Sequence, residues 1–70
     1  MRYAIVIEKA ENNYSAYVPD LPGYIATGAT AVEAERLIRE AIQLHLTGLR
    51  EDGLPIPQPL TQVEYIEVAA

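Results

Sequence analysis

Residues 30–53, TAVEAERLIREAIQLHLTGLREDG, place the tightest limit on how this chain can fold. No other stretch is long enough and periodic enough to require a helix. Ala34, Leu37, Ile38, Ala41, Ile42, His45 and Leu49 recur at spacings of three and four, so a helix gathers them on one face. Leu44 and Leu46 flank that face, while Glu33, Glu35, Arg36, Arg39, Glu40, Gln43 and Arg50 mostly turn away from it. Thr30 and Glu33 have the T-x-x-E spacing of a capping box, in which each side chain satisfies the other's backbone amide. Gly53 can adopt the left-handed conformation that stops a helix, and Pro55 prevents its continuation. The small Ala34 and Ala41 let such a helix lie close on a sheet.

The flanking segments supply that sheet. Residues 2–8, RYAIVIE, are β-branched and aromatic, with Tyr3, Ile5 and Ile7 on one side and Ala4 and Val6 on the other. The polar KAENN run, with Asn12 and Asn13 tolerant of positive φ, predicts a turn into a second strand at 14–18, YSAYV. There Tyr14, Ala16 and Val18 share one face, and Ser15 and Tyr17 the other. PDLPG, residues 19–23, contains two prolines and a Pro-Gly pair, so it turns, with Leu21 tucked beneath. A short third strand, YIATG at 24–28, leads to the helix cap. After the helix, LPIPQP at 54–59 is an extended connector that lays Leu54 and Ile56 back on the body. QVEYIEV at 62–68 is expected to form the last strand, with Val63 and Tyr65 opposite Ile66 and Val68.

The resulting order, β-β-β-α-β, predicts a single domain over residues 1–70. Its fold class is α+β, a two-layer sandwich with one helix on a mainly antiparallel sheet. One helix covers one sheet face. The other face, carrying Tyr17, Ala4 and Val6, or an open edge, is where a partner chain is expected. A chain of 70 residues gains little from its own core. It has no cysteine for disulfides and only His45 for a zinc site, so oligomerisation is the remaining support, as a dimer or tetramer. The lack of cysteine, of a leader-like start and of a long apolar run points to a cytoplasmic protein without a membrane span.

Ten acidic residues against five basic ones give a net charge of −5. Nucleic-acid affinity rests largely on Lys and Arg neutralising phosphate, so direct nucleic-acid binding is disfavoured. An acidic surface suits encounter with a basic protein, although it also serves solubility alone. Tyr14, Tyr17 and Tyr24 lie around the PDLPG turn, and Glu11 and Asp20 are nearby in sequence. Tyrosine is enriched among the residues that dominate binding energy, so these five form the candidate partner interface. Alternatively, Tyr14 and Tyr24 are half-buried sheet residues with wet hydroxyls.

Catalysis is poorly served. Glu8, Asp20, Glu33 and Glu40 are the carboxylates that could hold Mg²⁺. However, Glu8 ends a strand, Glu33 caps the helix and Glu40 falls on its solvent side. Ser15 has only His45 as a base, and His45 belongs to the apolar stripe as a satisfied or interface histidine. Asp52-Gly53 lacks the further acids of a calcium loop, and the glycines lack phosphate-loop spacing. No catalytic residue, metal or cofactor is expected.

Taken in order, the IVIEK strand, N-Y-S-A-Y-V-P-D-L-P-G, A-T-G-x-T, E-A…R-E-A-I-x-L-H-L and E-D-G-x-P-I-P-x-P resemble the HicB antitoxins of HicA–HicB toxin–antitoxin modules. The resemblance runs through nearly the whole chain. It implies a partial ribonuclease-H-like βββαβ domain that self-associates. It also implies binding of a small basic HicA-type toxin, an mRNA-cleaving enzyme whose active site the antitoxin covers. The alternative within the family is a solitary, oligomeric interaction module without a toxin. Many members carry a C-terminal helix-turn-helix or ribbon-helix-helix segment that binds the operator. These 70 residues contain none, so direct DNA binding is not expected of them. Ala29 also replaces an acidic residue common before the cap threonine, which removes a favourable contact with the helix dipole.

Overall fold

The computed structural model describes residues 1–69. Three antiparallel strands, β1 (Val6–Lys9), β2 (Tyr14–Tyr17) and β3 (Ile25–Gly28), form a sheet in that spatial order. The helix α1 (Ala31–Glu51) crosses one face, so the architecture is α+β.

The turns follow from their residues. The first hairpin closes with the Ala10 amide donating to the Asn13 carbonyl at 2.8 Å. It does so without positive φ at Asn12 or Asn13, so the tolerance of asparagine is not used there. At the PDLPG corner, the Leu21 amide donates to the Val18 carbonyl and the Tyr24 amide to that of Leu21, at 3.1 and 3.4 Å. Gly23 has φ +88°, as a turn with proline before glycine requires. Leu21 is thereby folded inward and is only 2% exposed.

Both helix ends are built as their residues predict, with one difference. Thr30 is extended, and its hydroxyl accepts from the Glu33 amide at 3.1 Å. The reciprocal bond from the Thr30 amide to the Glu33 carboxylate is not formed, so half of the capping box operates. At the other end Gly53 has φ +68°. The Gly53 amide donates to Arg50 and the Leu54 amide to Leu49, at 3.2 and 2.9 Å, which completes a Schellman motif.

Register decides the faces. Ala16 pairs with Ile7 and with Ala26, and Tyr14 with Lys9 and Gly28, all toward the helix. Tyr17 pairs with Val6 and Ile25 on the opposite face. The core consists of Ala16, Val18, Leu21, Ala34 and Ile38, with Tyr3, Ile5, Tyr14, Tyr24, Ala26 and Ile42 packed around it.

The chain departs from expectation after the helix. Ile56 is half-buried, whereas Leu54 is exposed. Residues 62–68 do not join the sheet as a fourth strand, and every residue from 60 to 69 is exposed. Strand propensity encodes a chain that can be extended, but a ladder also needs a free edge aligned beside it. Here the connector delivers this segment to the outside of the body, past the start of the chain. The fold therefore keeps three strands and an exposed C-terminal arm.

Candidate partner-binding surfaces

The open sheet face carries Tyr17 and Val6, which meet Ile25 across the strands; Ile25 is 70% exposed. The next row on that face is Glu8, Ser15 and Thr27, and Glu11 is exposed in the adjoining turn. An apolar patch thus borders acidic side chains on a surface the helix does not cover. Such a surface can accept an apolar contact from a partner and reward basic groups around it. Ile25 was not among the residues singled out from sequence. Its signal was available, because it alternates with Tyr24 and Ala26 in a strand whose inner face they occupy.

The other candidate residues have different surroundings. Tyr14 is half-buried and packs on the core from the helix side. Tyr24 lies beneath the helix, where its hydroxyl shares a 2.6 Å hydrogen bond with His45 Nδ1 and the two rings lie 4.4 Å apart. This pair satisfies the lone histidine within the apolar stripe. Asp20 is half-buried, and its carboxylate is already engaged. Oδ2 accepts from the Leu60 and Thr61 amides, both at 3.1 Å, and Oδ1 accepts from the Thr61 hydroxyl at 2.9 Å. Asp20 therefore clamps the base of the C-terminal arm, and only Glu11 and Tyr17 of the five remain free on the outside.

A second open region lies between α1 and the start of the chain. It is a groove of about 620 Å³ lined by Tyr3, Ile5, Ile38, Ile42 and Leu46 together with the polar Glu35, Arg39, Gln43 and Arg50. Although Ile7 points to the helix side with Ala16, it is 37% exposed, because the helix lies over β2 and β3 rather than β1.

Glu8, Asp20, Glu33 and Glu40 do not converge. Among the described residues, no three His, Asp or Glu side chains are placed to hold a metal ion. No helix among them is long and apolar enough to cross a membrane.

The family described as HicB-like antitoxin of bacterial toxin-antitoxin system matches residues 3–69. An uncharacterized protein of the rep-hol intergenic region of Haemophilus phage HP1 is 41% identical, over 93% of this chain and 53% of its own length. A UPF0150 protein of Helicobacter pylori is 51% identical over 70% of this chain and 68% of its own length. Antitoxin HicB 2 of Photorhabdus laumondii is 32% identical over all of this chain and 51% of its own length. The chain thus spans about half the length of the phage protein and of the HicB 2 antitoxin. No solved structure matches it significantly.

Proposed function

This chain belongs to the HicB-like antitoxin family of bacterial toxin–antitoxin systems, and from that premise we propose that it is a non-enzymatic binding protein that neutralises a small basic toxin. The toxin is of the HicA type, an mRNA-cleaving enzyme, and the antitoxin acts by covering its active site. The observation that carries this reading is the family match over residues 3–69, which spans the whole folded body. The physical features agree with it. A net charge of −5 favours a basic partner, and the open sheet face offers Tyr17 and Ile25 beside Glu8 and Glu11. Occlusion needs no chemistry from the antitoxin, only a complementary surface that forms faster and lasts longer than the toxin's encounter with RNA. The domain acts as a homo-oligomer in the cytoplasm, because a body this small leaves apolar groups in water when alone.

A solitary HicB-like module without a toxin is the second reading. Co-expression with the small basic protein encoded nearby separates the two. On the antitoxin reading the two proteins co-purify, and Tyr17→Ala weakens the complex at least tenfold while leaving the melting temperature nearly unchanged. Equal losses of binding and stability would make Tyr17 structural, and failure of any such neighbour to bind would favour the solitary module.

A further inference from the structure

The C-terminal arm and the groove beside β1 are each incomplete, and they match. Val63, Tyr65, Ile66 and Val68 are 51%, 94%, 84% and 74% exposed. Four large apolar side chains in one short segment are not explained by solubility or by local packing. They also alternate between two faces, Val63 and Tyr65 against Ile66 and Val68, which suits a strand covered on both sides. The groove has the opposite character. It is an unfilled trough beneath the β1 flank of the helix, apolar along Ile5, Ile38 and Ile42 and polar along Glu35, Arg39, Gln43 and Arg50, and among the described residues β1 is an edge strand with no partner on its outer side.

We infer that the arm is exchanged between two copies of this chain, each laying residues 62–68 along the free β1 edge of the other. One face of the arm fills the groove against Ile5, Ile38 and Ile42, and the other extends the open sheet face. Three observations commit the occupant to a second copy. First, the arm's base is fixed outside its own groove: Asp20 holds Leu60 and Thr61, and Thr61 and Val63 line a separate cavity with Arg2 and Ala4. Pro55, Pro57 and Pro59 stiffen the connector before it, and the Tyr3 hydroxyl donates to the Pro57 carbonyl. Second, the lengths agree. At roughly 3.3 Å per residue the arm spans about 20–25 Å, enough to accompany β1 from end to end. Third, Glu64 and Glu67 lie on opposite faces of the arm, and Arg50 lines the groove beside the Arg39–Glu35 pair, so one arm carboxylate can meet a basic group there. With one arm and one groove per chain, reciprocal exchange leaves neither unfilled and closes as a two-fold dimer, whereas head-to-tail exchange would grow beyond two copies.

This inference rests on the self-association proposed above and states how it is made. The test uses the whole chain. Copies labelled with ¹³C and ¹⁵N are mixed with unlabelled copies, unfolded and refolded together, and contacts between unlike copies are selected by isotope-filtered NMR. Exchange predicts contacts from one face of the arm of one copy, Ile66 with Val68 or Val63 with Tyr65, to Ile5, Ile38 and Ile42 of the other. In light scattering, the double variant Tyr65→Lys/Ile66→Lys is expected to halve the mass of the native particle while the helical circular dichroism is unchanged. A dimer whose arm contacts stay within one copy, or that survives both lysines, overturns the exchange and leaves self-association standing. A native chain that is monomeric at hundreds of micromolar overturns both.

Discussion

The two flanks of α1 are built differently. Over β3 the helix is pressed onto the sheet: a Cβ added to Gly28 would lie 2.7 Å from the Ala34 nitrogen and 3.0 Å from the Glu33 Cβ. On this flank Tyr24 and His45 bridge sheet and helix through their rings and a hydrogen bond. Over β1 there is a trough, and Ile7 faces the helix side without being covered. One flank therefore sets where the helix goes, and the other is left for a segment that the three-stranded body does not itself supply. Interiors are normally packed to near-crystalline density, and on the exchange proposed above a second copy's arm brings this groove to that density.

Substitutions on the two flanks can break or sharpen that contrast. The largest effect is expected at the point both flanks share. Ile38 is fully buried, and Ile38→Ala should cost on the order of 3 kcal/mol in urea unfolding. Next comes the closed flank, where Gly28→Ala should cost about 2 kcal/mol because the helix start must move away from β3. A neutral result would mean that β3 does not set the position of the helix. Tyr24→Phe removes the bond to His45 and keeps the ring, so a loss of about 1 kcal/mol is expected, visible as a lower urea midpoint at unchanged slope. On the open flank, Arg39 pairs with Glu35, but both side chains are largely exposed. Arg39→Ala should therefore change stability by no more than about 0.5 kcal/mol in dilute solution. A larger loss that grows with protein concentration would show that this rim is covered by another copy.

Local chemistry made much of the body legible from the residues. Thr30 and Gly53 mark the helix ends because capping depends on neighbours three or four positions away. Likewise, proline and glycine in PDLPG dictate the corner that buries Leu21. The faces of β2 follow from alternation. What sequence could not reveal depended on distant partners. Asp20 reads as a free acid in a turn, and its clamp on Leu60 and Thr61 joins positions some forty residues apart. Gly28 reads as a strand end, and only the approach of Ala34 explains why no side chain fits there. The arm reads as a strand because its residues favour one, but propensity does not say which edge it will find. The candidate interface divides in the same way. Tyr17 lies on the open face and Tyr24 on the helix side as alternation requires, while the bond that engages the Tyr24 hydroxyl comes from a histidine adjacent only in space.

The antitoxin reading is tested most directly by titrating this chain into its partner toxin and following cleavage of RNA. Occlusion by a stable complex predicts that cleavage falls in proportion to the antitoxin added and ends at a fixed molar ratio, with activity returning when the complex is dissociated. Cleavage that continues while the two proteins remain bound would contradict it, because the surface covered would not be the active site.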